Sequence, residues 1–486
     1  MLLDQSKSGS AAILYWAKTQ PKVFAFDSGD TKYTYYQMAI HIAKYTKALK
    51  LIGLKRGDII GIETEHIYLH FVLNLAVEVI GATHVALSNV DFENSQDILD
   101  ACNFYIVQNI KDGRLSETKK VLIADQFIKL VSDLKINNEE ILCLDHPSYL
   151  NDVVYLSGTS GTTGVKKYSE NTRLAICAET DLFISLFFKK LKKINFIMTY
   201  NLRVGASYAG GVAALNVGST IVLSYLSLLN QTIEAYPNSH LALTVRDADY
   251  LNKHCIYKSV KKLSSVRVLG ANLPLVLRSW LENYLAEHVV NSYSSNEAGQ
   301  IAEVRADGIG YLYPNVAVEV VNENNERLPN GEVGKFTIKS PQLVSGYLWD
   351  AQLTKKYFYD GWFLTSDSGY KLTKNKLKIL GRTDELLNLG GVKVAPNQYE
   401  EKIKRIDGVL DCALVSPFEN PQGKIYVCIE RDLSGIDEII LKLTSEILCS
   451  YANQIKLFFF KIFPRTYSGK VQRGKLLEQI NFQEML

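Results

Sequence analysis

The chain has 486 residues, 47% of them hydrophobic and 22% charged, and its 54 basic and 51 acidic side chains leave a formal net charge of +3. That length calls for two or more domains. So even a balance removes the electrostatic reason to expect nucleic acid or an anionic membrane as a partner. Asp4 and the polar residues after it leave no room for a signal-peptide core. The most apolar long stretch, residues 69–87, contains Asn74, Glu78 and His84, so no membrane span is expected. Seven dispersed cysteines without a CxxC pair read as reduced thiols, and the chain reads as cytoplasmic.

Through the first 380 residues, apolar runs alternate with helical patterns. Residues 36–50 and 70–80 carry period 3.6, while 58–63, 82–87 and 104–108 read as strands. His66 and His70 stand at helical spacing but lack further ligands and the HExxH order, so a structural role is expected. The lysines at 189, 190, 192 and 193 read as a solvated helix end. A second alternating series covers 194–224, 242–245 and 266–269. From Tyr311 to Tyr347 the texture changes to short β runs separated by Asn, Gly and Pro turns, and a compact segment of about a hundred residues follows Gly381. The expected class is α/β. A large N-terminal domain (1–381) holds layered sheets and a β-barrel-like subdomain. A tight hinge (382–384) then leads to a small C-terminal α+β domain (385–486).

Residues 155–166 read YLSGTSGTTGVK and follow the apolar run Asp152-Val153-Val154-Tyr155-Leu156. Gly158, Gly161 and Gly164 allow sharp turns with inward N–H groups, and the hydroxyls of Ser157, Thr159, Ser160, Thr162 and Thr163 add donors on short stems, a combination suited to a polyanion. A surface linker and a nucleotide-kinase loop are the competing readings. The kinase loop needs GxxxxGK[ST], which no register here supplies.

Four more segments follow: NSYSSNEAG at 291–299, GWFLTSDSGY at 361–370, GRTDELLNLGGVKVAPNQYE at 381–400 and PRTYSGKVQR at 464–473. With the glycine-rich loop, in this order, they resemble the signature set of the adenylate-forming enzymes: acyl- and aryl-CoA synthetases, nonribosomal-peptide adenylation domains and firefly-type luciferases. The resemblance runs from about residue 155 to the C-terminus. It implies that Ser160, Gly161, Thr162, Thr163 and Gly164 hold the outer phosphates of ATP, with Lys167 as the positive end of the loop. Tyr293 would stack on adenine, Asn296 would donate near the α-phosphate in place of the usual threonine, and Glu297 would offer an oxygen to Mg²⁺. Asp367 and Arg382 match the pair that binds the ribose hydroxyls, and Asp384 matches the residue about which a mobile C-terminal domain swings. Asn388 stands where a lysine is common, and Gly390 and Gly391 match a loop that enters the site in the second half-reaction. Lys470 matches the catalytic lysine, a mobile ammonium that lowers the repulsion between a carboxylate and the α-phosphate.

The chemistry so implied is carboxylate plus ATP to acyl-AMP and pyrophosphate, followed by thiol attack from coenzyme A or from the phosphopantetheine of a separate carrier protein. ATP, Mg²⁺ and the thiol carrier are the implied cofactors. Tyr200, Tyr208, Gly270 and Ala271 match the lining of the acid pocket, and Asn272 could read a polar substituent. No acidic residue lies between Asp181 and Glu234 to meet an α-ammonium, so an aryl or fatty acid is expected over an α-amino acid. The small residues Gly205, Ala206, Ala209, Gly210 and Gly211 make room for a ligand or serve close helix packing. A freestanding amino-acid-activating enzyme and a nucleotide-binding regulator without catalysis are the alternatives.

Overall fold

The computed structural model describes residues 8–88, 91–92, 95–108, 120–144, 150–159, 167–188, 194–200, 202–254, 261–383, 387–389, 392–394, 396–416, 424–431, 437–448, 455–465 and 471–485. Local signals set the helices. Thr34 accepts from Gln37 N, and Gln37 returns the bond to Thr34 N, so a reciprocal cap opens the helix Tyr35–Leu51. The helix Ile67–Ile80 is apolar almost all round, as a helix buried on every side must be, and stops at Gly81, whose φ of 80° suits glycine.

Two sheets organise the first 382 residues. The hairpin β1 (Phe24–Asp27) and β2 (Lys32–Thr34) opens the chain. Next come β3 (Ile59–Glu63), β4 (Thr83–Ala86), β5 (Phe104–Val107), β6 (Lys120–Ile123), β7 (Val153–Thr159) and β8 (Lys167–Thr172). They form a six-stranded sheet in the order β6-β5-β3-β4-β7-β8, parallel except for the antiparallel pair β7–β8.

The second series supplies β9 (Asn195–Met198), β10 (Ile221–Leu223), β11 (Ser239–Thr244), β12 (Ser265–Leu269) and β13 (Val289–Ser295). These five are parallel in the order β10-β9-β11-β12-β13, and β1 joins beside β10. The β-rich unit expected after it consists of β14 (Gly299–Val304), β15 (Gly310–Leu312), β16 (Ala317–Val321), β17 (Gly334–Lys339), β18 (Phe358–Tyr359), β19 (Trp362–Thr373) and β20 (Lys376–Arg382). Its strands are antiparallel and have their own core around Phe336, Ile338 and Phe363. Hydrogen bonding continues unbroken from β13 into β14, so one 14-stranded sheet spans both units.

The main core lies between the two sheets. It gathers Ile60, Ile62 and Ile106 from the first sheet and Phe26, Phe196 and Ile221 from the second, together with Phe71 and Val212 from the intervening helices Ile67–Ile80 and Gly205–Asn216. A buried polar group sits beside it: Glu78 receives Arg173 Nη1 at 3.1 Å, His84 Nε2 lies 3.4 Å away, and the Tyr208 hydroxyl donates to the same carboxylate.

Beyond Arg382 come the hairpin β21 (Leu387–Leu389) and β22 (Val392–Val394), and a three-stranded sheet of β23 (Val409–Val415), β24 (Ile425–Arg431) and β25 (Ile455–Phe460). Among the described residues its two apolar clusters contain nothing before Leu387. Arg465 binds Asp411 at 2.7 Å and also Glu430, while Arg473 binds Glu400 at 2.7 Å and the Leu414 carbonyl at 3.0 Å. No helix among the described residues is long and apolar enough to cross a membrane.

Candidate nucleotide and acyl site

The ends of the parallel strands β9–β13 face the same way, which is where open α/β sheets collect ligands. Tyr293 leaves the end of β13, and its hydroxyl donates to Asp367 Oδ2 at 2.6 Å. Asp367 stands opposite Arg382 in the β19–β20 ladder, and Thr365 Oγ1 accepts from its backbone N–H at 2.9 Å. Three residues expected to meet the nucleoside thus converge through one hydrogen bond and one cross-strand pair. Burial first, then the Asp367 carboxylate, push the Tyr293 phenol well above its ordinary pKa, with Arg382 opposing, so it stays a proton donor.

The turn after β13 reaches the other sheet. Asn296 Nδ2 donates to the Gly158 carbonyl at 3.1 Å, tying β13 to the end of β7. In the β7–β8 hairpin Thr159 pairs with Lys167, so the chain leaves and re-enters at adjacent points about one strand spacing apart. Ser160, Gly161, Thr162, Thr163 and Gly164 lie outside the described residues, as do Asp384, Gly390, Gly391 and Lys470.

Glu297 accepts a 3.0 Å hydrogen bond from Tyr347 Oη, and its carbonyl accepts from Val344 N at 3.0 Å. The segment around Tyr347 is stitched to β8 by Glu170 N to Gly346 O at 2.9 Å and Leu348 N to Tyr168 O at 2.9 Å. Lys167 Nζ lies 5.7 Å from the Tyr347 ring centroid and 5.5 Å from that of Tyr357, within cation–π range. Tyr347 therefore links Lys167 to Glu297. Residue spacing gave no sign of this link, because Tyr347 lies outside every glycine-rich or acidic motif. Burial raises the pKa of Glu297, while its own backbone N–H and Tyr347 pull it down.

The four expected pocket residues separate into two groups. Tyr200 and Gly270 sit at the ends of β9 and β12. The Tyr200 hydroxyl donates to the Asp247 carboxylate and accepts from Thr244 N at 2.8 Å, which locks it onto the cap of the helix Val245–Lys253. Gly270 has a φ of 90° and open space where a Cβ would project, with Ala271 exposed beside it. Tyr208 instead is 1% exposed in the polar group around Glu78, packed against Phe71 and His84. The choice left open for the small residues is decided at Gly210 and Gly211: a Cβ there would lie 2.6 Å from Phe196 and 2.6 Å from Phe71, so both serve close packing. Asp247, which the sequence reading passed over, is a carboxylate tied to this strand end through Tyr200.

The AMP-binding enzyme family matches residues 14–348. 4-Coumarate–CoA ligase 1 of Petroselinum crispum is 22% identical over 512 aligned positions, covering 93% of this chain and 90% of its own. The 2-succinylbenzoate–CoA ligase of Listeria monocytogenes is 31% identical over 180 positions, 36% of this chain and 38% of its own. The fold is similar to that of ATP-bound MatB from Rhodopseudomonas palustris (TM-score 0.83, 19% identity, 96% and 98% covered). It is also similar to anthranilate CoA ligase AuaEII in complex with anthranoyl-AMP (TM-score 0.84, 16% identity, 100% and 99% covered). With the family match spanning more than half its length, the chain belongs to the AMP-binding enzyme family.

Proposed function

We propose that the chain joins a small carboxylic acid to ATP, releasing pyrophosphate and forming an acyl-adenylate. It then passes the acyl group to a phosphopantetheine thiol, giving a thioester and AMP. The observation that carries this reading is the Tyr293–Asp367 hydrogen bond beside Arg382. One oxygen of Asp367 is held by the phenol, and the carboxylate retains acceptor capacity for a diol such as the ribose 2′- and 3′-hydroxyls.

Asn296 and Lys167, with residues 160–164, take the phosphates. Glu297 fits Mg²⁺: that ion needs only one or two carboxylates beside waters and phosphate oxygens, and burial makes an uncompensated Glu297 charge costly. When held there by Glu297, Mg²⁺ would supply positive charge to offset that of the triphosphate. Lys470 brings its ammonium to the two anions that meet at the α-phosphorus, so catalysis is alignment and charge neutralisation without a side-chain nucleophile. Residues 1–381 and 385–486 act as two bodies that turn about 382–384, with Asp384 as the pivot, between the half-reactions. The separate apolar clusters beyond Leu387 support that division.

Tyr200, Gly270 and Ala271 border the acid. The relatives are named for aromatic acids, 4-coumarate and 2-succinylbenzoate, and we favour an aryl acid with coenzyme A as acceptor, a carrier protein being the second choice. Asp247 is engaged in a helix cap, where it accepts from Thr244 N and Oγ1 and is not free to meet an α-ammonium. Reliance on ATP and a thiol carrier, and the free cysteines among the described residues, support a cytoplasmic setting.

Acid-dependent exchange of labelled pyrophosphate into ATP, over aryl, fatty and amino acids, tests the first half-reaction. Repetition with coenzyme A or a carrier protein tests the second. Nucleotide binding without exchange for any acid would select the regulator instead, and ADP as product would end the reading altogether.

A further inference from the structure

Residues 344–348 strap one sheet to the other. Val344 N donates to the Glu297 carbonyl at 3.0 Å, in the turn between β13 and β14. Ser345 N donates to the Glu170 carbonyl at 3.0 Å and Leu348 N to the Tyr168 carbonyl at 2.9 Å, while the Gly346 carbonyl accepts from Glu170 N at 2.9 Å. The first bond holds the backbone of Glu297, and the other three hold β8, the strand that starts at Lys167.

Tyr347 belongs to this strap and is 7% exposed. Its backbone N–H donates to Thr354 Oγ1 at 3.0 Å, and its ring meets Tyr357 (6.3 Å, 86°) and Phe358 (5.5 Å, 72°) edge-on. A close-packed ring has little freedom to turn, so its hydroxyl is fixed in place, where it donates to Glu297 Oε1 at 3.0 Å. The Lys167 ammonium lies over the same ring and over that of Tyr357, at 5.7 and 5.5 Å from the two centroids. One side chain thus touches an anion with its hydroxyl and a cation with its ring.

Packing alone would be served by phenylalanine; the hydroxyl is what packing does not need. Glutamate loses substantial rotamer entropy when its head is held in one place, and Glu297 is only partly enclosed. An ionised carboxylate has about four acceptor sites, of which the phenol takes one, so the bond orients the group and leaves capacity for a cation. Partners that orient a metal-binding side chain in this way typically govern affinity by about 10- to 100-fold.

We propose that Tyr347 is a positioning residue for metal-bound ATP: its hydroxyl aims Glu297 at the metal and its ring sets Lys167 toward the outer phosphates. The proposal rests on the ligase reading and adds the residue that couples its metal and phosphate sites. Tyr347 acts through Glu297 and Lys167, and the strap keeps their spacing independent of the glycine-rich loop between Thr159 and Lys167.

ATP binding measured by calorimetry with Mn²⁺ as the metal probe, and again in a chelator, tests this. In the wild-type chain Mn²⁺ is expected to tighten binding. Tyr347→Phe keeps the ring and loses the hydroxyl, so affinity with Mn²⁺ is expected to fall about tenfold or more while metal-free affinity holds at the wild-type value. Tyr347→Leu loses the ring as well and weakens both. In a Glu297→Gln background Tyr347→Phe should add no further loss, because contacting residues of one network are not additive. The paramagnetic resonance spectrum of Mn²⁺ in the ATP complex should also change with Tyr347→Phe, a signature that loss of packing alone would not give. A cooperative melt near the wild-type midpoint shows that this variant is folded. Loss that is equal with and without metal, no loss at all, full additivity with Glu297→Gln, or wild-type affinity that ignores the metal overturns the positioning role. A wild-type chain that binds no ATP overturns the ligase reading and this one with it, so the two failures are distinct.

Discussion

Asp367 accepts a 2.6 Å hydrogen bond from the Tyr293 phenol and stands across the β19–β20 ladder from Arg382, so one side-chain bond ties the parallel half to the antiparallel half beside an arginine. Tyr293→Phe removes a hydrogen bond to an ionised acceptor, worth roughly 1.5–3 kcal/mol. The KM for ATP is expected to rise about tenfold or more, with the KM for the acid and the melting temperature nearly unchanged. Asp367→Ala is expected to do more damage. A rise confined to the acid would remove both residues from the nucleotide site.

Lys470→Ala is expected to slow acyl-adenylate formation by about 10²-fold or more, the scale for losing one preorganised stabilising group. Supplied acyl-AMP should still pass to the thiol at close to the wild-type rate. Equal loss in the two half-reactions, each measured separately, would contradict the role given to the lysine.

Acid should weaken the fold through buried histidines. Burial pushes His70 down to about 3, with the charges of His84 and Arg203 adding, and burial also lowers His84 against the opposing pull of Glu78. Unfolded histidine titrates near about 6.5. In the window between that value and about 3 the unfolded chain binds the proton and the native one refuses it, so stability is full above the window and falls as pH drops through it. Urea midpoints between pH 7 and 5 should show the loss, and His70→Leu should flatten the slope by up to about 1.4 kcal/mol per pH unit. An unchanged slope would mean that His70 takes up its proton in the native state.

Gly211→Ala and Gly205→Ala separate packing from pocket space. The Cβ at 211 would meet Phe71 at 2.6 Å, and overpacking of this kind costs about 1–3 kcal/mol. The Cβ at 205 meets nothing within 4 Å and should be tolerated. Denaturant midpoints for the pair would decide; equal tolerance would show that the helix Gly205–Asn216 can shift away from Phe71.

Much of this was legible in the order of residues. Periodicity located the helix that ends at Ile80 and the strands β3, β4 and β5 to within a few positions, because each segment presents a continuous apolar face. The motifs around Tyr293, Asp367 and Arg382 named side chains that the fold brings together. Tyr208 was named from the resemblance of its segment to a pocket lining, and such a likeness does not say which way a side chain turns. Its hydroxyl turns inward to Glu78, 130 positions earlier in the chain. Tyr347 stayed hidden for the converse reason, since its partners Glu297 and Lys167 become neighbours only when the segment around it is stitched to β8.

The pairing of β1 with β10 joins Phe26 to Ile221. During synthesis the first hairpin therefore emerges long before its partner strand exists, and its apolar edge must wait for nearly two hundred more residues to leave the ribosome. Closing so long a loop is entropically slow. Maturation of this enzyme is expected to be limited by that late docking step, and a nascent chain stalled before residue 221 should be prone to aggregation and to capture by chaperones.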